Sequence, residues 1–344
     1  MTYLSGQQDA APPRSARAWL STLAKYREPN TSRSVFELVV TLVPMMALWA
    51  LGTFLISISP WLALVCGLLS GLFLVRIFII QHDCGHGSFL ANRKAQDWIG
   101  RSLGVFTLTP YAVWKRTHAL HHAHHGDLDQ RGFGDVDTLT TDEYHARSIW
   151  GRLQYRLYRH PLVLFLLGPS YLFLLQNRLP IGLMSSGWRY WGSAMGTNVM
   201  IALGLGAVVY ALGWMPVLLV FLPCSILAAT IGVWLFYVQH QFEETHWARH
   251  EEWQLHDAAL EGSSHYVLPQ PLRWFSGNIG IHHVHHLYSR IPFYRLPEVL
   301  RDYRELAEAQ RLTIGESLRS VKLHLWDEGE RRLMTFAEAR KLKR

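Results

Sequence analysis

Nineteen histidines occur in this chain of 344 residues, and the informative ones fall in three short groups. The first is His82-Asp83-Cys84-Gly85-His86. The second is His118-Ala119-Leu120-His121-His122, with His124 and His125 behind it. The third is His282-His283-Val284-His285-His286. Spacings of i, i+3 and i, i+4 put side chains on one face of a helix, about 5–6 Å apart. Two imidazoles from one turn can therefore share a metal ion. Neutral imidazole suits zinc, copper, iron or nickel, and spacing alone does not choose among them. A single histidine is usually solvated or structural, and a histidine-rich tract can be a loose metal binder. These groups are neither, because they lie far apart in sequence and each keeps a helical spacing. If two metals each take four or five imidazoles, the two, three and three histidines of the groups fall one short. His240, in Tyr237-Val238-Gln239-His240, is the candidate ninth ligand, with His246 in reserve. Glu243-Glu244-Thr245-His246 contains one Glu-x-x-His, whereas a carboxylate-bridged di-iron bundle needs two such motifs and two further Glu. That alternative is rejected.

The elements that must carry these groups are apolar. Hydrophobic residues make up 49% of the chain and charged residues only 17%, against about 25% charged in soluble domains. An aromatic content of 12% excludes disorder. Three Cys, two of them (Cys66 and Cys224) inside apolar runs, exclude a disulfide scaffold. Four runs approach the roughly 20 residues that a bilayer-crossing helix needs, at about 39–57, 61–80, 195–214 and 216–238. The expected fold is an all-α membrane protein: four transmembrane helices, interfacial helices, and a cytoplasmic His-rich di-metal domain. Segments 99–114 and 161–176 are shorter. The first carries Arg101 and the second is interrupted by Gly168-Pro169, so both read as interfacial or re-entrant. The links near Pro60 and Met215 contain no Lys or Arg. Cytoplasmic loops are enriched in both, so both termini and the long loops are expected on the cytoplasmic side. Arg76 is expected to snorkel from the end of the second span.

The remaining organisation follows. Residues 1–35 hold Arg14, Arg17, Lys25, Arg27 and Arg33, lack a cleavage-site pattern, and read as a cytoplasmic N-terminal segment. Residues 36–300 read as the membrane domain and 301–344 as a cytoplasmic helical segment. Within the latter, the spacing of Leu318, Val321 and Leu325 suggests an amphipathic helix over 313–344. The net charge of +7 could attract nucleic acid, but no recognition motif supports that, and the topology already accounts for the positive charge.

The three groups resemble the histidine boxes of membrane fatty acid desaturases. His82-Asp83-Cys84-Gly85-His86-Gly87-Ser88-Phe89, His118-x-x-His121-His122 and His282-x-x-His285-His286-Leu287 carry the likeness. Flanking support comes from Gly277-Asn278-Ile279-Gly280 and Ser289-Arg290-Ile291-Pro292-x-Tyr294-x-Leu296-Pro297. The pattern is similar to bacterial acyl-lipid desaturases related to plant Δ12 and ω-3 enzymes, over about residues 35–300.

The resemblance implies a non-haem centre of two Fe held by His82, His86, His118, His121, His122, His240, His282, His285 and His286. It implies an O2-dependent reaction that removes hydrogen from adjacent methylenes of an acyl-lipid or acyl thioester, leaving a cis double bond and water. His283, His124 and His125 are then extra, and His283 could replace a box member. His145, His160, His250, His256, His265 and His324 read as ordinary residues. Partners for the second ring nitrogen of the ligands are sought in Asp83, Asp135, Asp137 and Asn278. Trp114 and Thr117 could line the acyl slot, and Trp114 could equally anchor at the interface. The chain shows no His-Pro-Gly-Gly haem segment, no Gly-x-Gly-x-x-Gly loop opening a helix and no Cys framework for an iron–sulfur cluster. A separate electron donor is therefore expected, by family analogy a ferredoxin-type protein or cytochrome b5. Basic residues between 290 and 344 could dock it or attract anionic lipid headgroups. By the same analogy the setting is a bacterial inner membrane. Rival readings are a histidine-box hydroxylase or ketolase, and a non-enzymatic metal-binding membrane protein. Against the second rival, spans three and four contain no ionisable Asp, Glu, His, Lys or Arg that could form a metal path.

Overall fold

A computed structural model describes residues 15–132 and 134–342. Arg14 of the basic N-terminal set, Phe133 of the Gly-rich turn Gly132-Phe133-Gly134 between the second box and Asp135, and the terminal Lys343-Arg344 lie outside the described residues. The fold is mostly helical, as expected. Among the described residues, four helices are long and apolar enough to cross a membrane: α1 (Thr31–Leu55), α2 (Pro60–His86), a third over Trp188–Leu212 and a fourth over Val217–His240. Asn30 caps α1 by accepting from the Arg33 N–H at 2.9 Å, a standard device for a helix start. Pro60 occupies the first turn of α2, where its missing N–H goes unneeded.

The length of α2 positions the first histidine group. At 1.5 Å per residue its 27 residues extend about 40 Å, against a hydrocarbon core of about 30 Å. The last two turns therefore stand beyond the apolar layer, and they carry His82 and His86. Gly87 ends the helix in the left-handed conformation (φ +76°), with its N–H returned to the Asp83 and Cys84 carbonyls. Only glycine takes that conformation without strain.

Arg76 does not snorkel. It is 2% exposed and paired with Glu37 of α1, donates to Thr41 Oγ1 and the Trp274 carbonyl, and lies 4.1 Å from the Trp274 ring centroid. The carboxylate that neutralises it comes from another span, which hydropathy along one helix does not reveal.

Segment 99–114 does not form one helix. It is divided between α3 (Arg93–Phe106) and α4 (Tyr111–His124) by a turn containing Leu108 at φ +54° and Pro110. After a two-residue strand β1 (Leu139–Thr140) comes α5 (Ile149–Tyr158), whose Ile149, Trp150, Leu153 and Leu157 are exposed. It meets the broken helical stretch Val163–Arg178 at 59°, a geometry of a bent span or a re-entrant loop. The third span, α6 (Trp188–Leu212), is little buried. The fourth begins with a π turn over Val217–Phe221 and continues as α7 (Leu222–His240). Strand β2 (His265–Tyr266) precedes the third histidine box, α8 (His282–Leu287), and pairs in parallel with β3 (Arg311–Leu312). A separate apolar cluster packs Trp19, Leu23 and Tyr26 of the N-terminal segment onto Val284, Leu287 and Ile291 around that box.

The C-terminal stretch is not one amphipathic helix. A short helix over Ile314–Ser320 is followed by β4 (Leu325–Asp327) and β5 (Arg332–Met334), an antiparallel pair, then a helix over Phe336–Lys341. Leu325 and Trp326 pair in parallel with β1 far upstream. Tertiary pairing overrides a spacing that fits a helix locally.

Candidate metal centre

The three boxes converge where α2 and α7 end. One group joins His82 and His86 of α2, His118 and His122 of α4, and His285 of α8. A second joins His121 of α4, His240 at the end of α7, and His282 and His286 of α8. Within each group the candidate ligand atoms all lie within 4.8 Å of one another. Helix geometry explains the division. At about 100° per residue, i and i+4 project nearly together while i+3 leans the other way. Thus His118 and His122 face the first group and His121 the second, whereas His282 and His286 face the second and His285 the first. The rings of His122 and His286 stack between the groups, 4.1 Å apart at 14°.

Both groups fit a metal ion. In the first, Nε2 of His118 lies 3.0 Å from Nε2 of His86 and 3.2 Å from that of His122, which lies 3.2 Å from Nε2 of His285. In the second, Nε2 of His282 lies 3.0 Å from Nε2 of His240. Nε2 of His82, His121 and His286 is buried with no hydrogen-bond partner. Buried polar atoms are normally satisfied, and a cation at each focus would take up the lone pairs aimed there. Burial, reinforced by the neighbouring rings, holds His118, His122, His282, His285 and His286 well below the usual histidine pKa. The rings are neutral, which is the form that ligates.

The far side of several rings is also fixed. The Asp135 carboxylate accepts from Nδ1 of His121. The Gly262 carbonyl accepts from Nδ1 of His240 at 3.4 Å and from Nε2 of His125 at 2.8 Å. Asp83 Oδ1 lies 3.3 Å from Nδ1 of His82, and its Oδ2 accepts from the Phe293 N–H at 2.7 Å. Such contacts set tautomer and ring orientation.

Other candidates are placed elsewhere. Asp137 is exposed and engages through its backbone: its N–H donates to the Tyr158 hydroxyl and its carbonyl accepts from Arg159. Asn278, at φ +56°, donates to the Phe293 carbonyl rather than to an imidazole. It braces the loop that holds Asp83. His283 turns away from both groups toward the Leu306 carbonyl at 2.8 Å, so it replaces no box member. His246 joins neither group. Thr117 hydrogen-bonds back to the carbonyls of Val113 and Trp114. Trp114 stacks on His118, 4.6 Å away at 17°. A Cβ on Gly85 would lie 2.6 Å from the Trp114 ring, so the glycine between His82 and His86 makes room for it.

Sequence reasoning set His125 aside as extra. Its ring lies 4.1 Å from His240, and with His121 and Asp135 it forms a third set of potential ligand atoms behind the second group. Its adjacency to the second box was the available signal. The Gly262 carbonyl gave none, since backbone acceptors have no residue signature.

Four apolar helices, two of which end at a double histidine centre able to hold metal, define a membrane-type protein with a candidate metal site. Comparison with known proteins makes the class specific: the family model described as fatty acid desaturase matches residues 59–317. The fatty acid desaturase of Bacillus subtilis (strain 168) is 40% identical over 314 residues, covering 91% of this chain and 89% of that protein. The sn-1 acyl-lipid omega-3 desaturase (ferredoxin) of Nostoc sp. (strain 36) is 26% identical over 308 residues, covering 87% and 80%. The chain belongs to the fatty acid desaturase family.

Proposed function

We propose that this enzyme is an O2-dependent acyl-lipid desaturase that inserts a cis double bond, with one iron in each histidine group. The observation that carries the reading is the convergence of nine imidazoles on two adjacent foci at the ends of the second and fourth spans. Bound there, a pair of irons supplies the O2-dependent oxidising power that breaks an unactivated C–H bond, chemistry beyond acid–base side chains.

The chain's own residues supply position. His82, His86, His118, His122 and His285 hold one iron, and His121, His240, His282 and His286 the other. Asp83, Asp135 and the Gly262 carbonyl keep the ring nitrogens aimed. Trp114 walls the first group on the side of Phe78 and Phe173, where an acyl chain rising from the bilayer would pass. Misplacing a methylene pair by about 1 Å would lower the rate by about 100-fold.

The lipid-bound substrate and a ferredoxin-type donor are supported by the names of the cyanobacterial relatives. Cytochrome b5 is the alternative donor. The absence of Lys and Arg from the two short links supports a cytoplasmic centre with both termini on that side, in a bacterial inner membrane. Residues 36–300 would form the membrane domain, flanked by 1–35 and 301–344. Expression in a host lacking polyunsaturated lipids, followed by fatty acid analysis, tests the reading. A new cis double bond is expected. An oxygenated chain would place the enzyme with the hydroxylases instead, and unchanged lipids in the presence of a competent donor would contradict the proposal.

A further inference from the structure

The second histidine group has a support that its own neighbours do not reveal. Arg159, just past the end of α5, is 1% exposed. Burying a charge is expensive unless it is paired and hydrogen-bonded, yet among the described residues no carboxylate pairs with this one and its Nε has no hydrogen-bond partner. Its guanidinium donates instead to the Asp137 carbonyl (3.1 Å), Thr138 Oγ1 (3.2 Å), the Tyr237 hydroxyl (3.4 Å), Gln241 Oε1 (3.0 Å) and the Leu323 carbonyl (2.9 Å). Two of these acceptors flank His240: Gln241 follows it, and Tyr237 sits one turn before. A third, Asp137, lies two residues beyond Asp135, which holds His121. Tyr237 extends the network by donating to the Ser320 carbonyl at 2.9 Å. One planar fork therefore ties the turn that presents His240, the loop that orients His121 and the C-terminal segment. The described supports of the first group, namely Asp83, Phe293 and Trp114, share none of these contacts.

Building on the proposed di-iron function, we infer that Arg159 is a positioning residue for the second histidine group alone. It acts through Gln241, Tyr237 and the 135–138 loop. A guanidinium is required because several acceptors in different directions share one rigid donor set, which a lysine ammonium cannot match.

The test uses the full chain, purified anaerobically in detergent and loaded with isotope-enriched ferrous iron. Iron per chain, release to a chelator and Mössbauer spectra are recorded for the wild type, Arg159→Met, Arg159→Lys and Gln241→Leu. His86→Ala and His240→Ala give the reference spectra for loss of the first and second groups. Arg147→Met, at an exposed position, is the control and should match the wild type. Arg159→Met should fall from two irons toward one, keep the spectrum left in His240→Ala, and release the weakened iron about tenfold faster. Arg159→Lys should be intermediate. Gln241→Leu, which removes one acceptor, should shift in the same direction by less, and it carries the test if Arg159→Met does not accumulate. Two irons held at wild-type rates in both Arg159→Met and Gln241→Leu would overturn the inference. So would loss of both irons together, or a residual spectrum matching His86→Ala. A wild type that never holds two irons would overturn the proposed function, and this inference with it.

Discussion

The two histidine groups differ in make-up and in support: the first draws on all three boxes, the second on the second and third boxes and His240. The first has five imidazoles and rests on α2, a rigid helix projecting past the apolar layer, with Trp114 stacked against it and Asp83 behind it. The second has four imidazoles and rests on the last turn of α7, the Asp135 loop and the Gly262 carbonyl, all joined to distant segments. The first group leans mainly on a helix end and ring stacking, the second mainly on hydrogen bonds to loops and distant segments. The second should therefore be the more sensitive to changes outside the ligands themselves.

Changes to the ligands should have the largest effect and fall on both groups alike. His285→Ala and His282→Ala should each abolish desaturation product in fatty acid analysis, and retained full activity would remove that residue from the ligand set. Next comes Asp135→Ala, which leaves Nδ1 of His121 without its acceptor. It should weaken metal binding in the second group by about 10–100-fold, measured by chelator competition, and leave the first group unchanged. Equal weakening of both groups would erase the contrast between them.

Glu37→Gln separates stability from metal positioning. Breaking a buried ion pair by removing one partner costs about 3–5 kcal/mol, so thermal unfolding in detergent should occur at lower temperature while iron per chain stays at two. Trp114→Leu removes the ring stacked on His118, an interaction worth about 0.5–1.5 kcal/mol. It should slow turnover several-fold, with the metal of the first group loosened slightly and that of the second unaffected.

The smallest effect concerns pH. Burial, with lesser contributions from Arg159 and Arg156, lowers the pKa of His324 to about 3. Its folded value lies below its unfolded value of about 6.5. Its contribution to stability is therefore complete above pH about 6.5 and is lost as pH falls toward 3. His324→Phe should flatten the acid limb of the stability profile, read from unfolding midpoints between about pH 7 and 5. An unchanged limb would show that the hairpin does not sense this proton.

What could be read from the sequence follows from how local each signal is. The four spans and the three boxes were legible because hydropathy and helical spacing act within one helix. His240 was reachable by depth, as it sits at the end of α7 much as His86 does at the end of α2. Asp135 was reachable because it follows a Gly-rich turn near the second box. Asp137, two residues away with the same chemistry, was not separable from it, since the irregular loop that exposes its carboxylate and engages only its backbone has no period to read. Asn278 looked like an imidazole partner but serves a turn at positive φ, which is set by backbone conformation. Arg76, Arg159 and the β1–β4 pairing were illegible for one reason: their partners lie on elements distant in the chain.

Mössbauer spectroscopy of the anaerobically iron-loaded wild-type chain tests the central claim most directly. Two quadrupole doublets of equal area are expected, with parameters of nitrogen-rich coordination, together accounting for two irons per chain. His86→Ala should selectively diminish one and His240→Ala the other. A single mononuclear iron, or stoichiometric zinc with no iron, would contradict a centre in which nine imidazoles grip a metal pair.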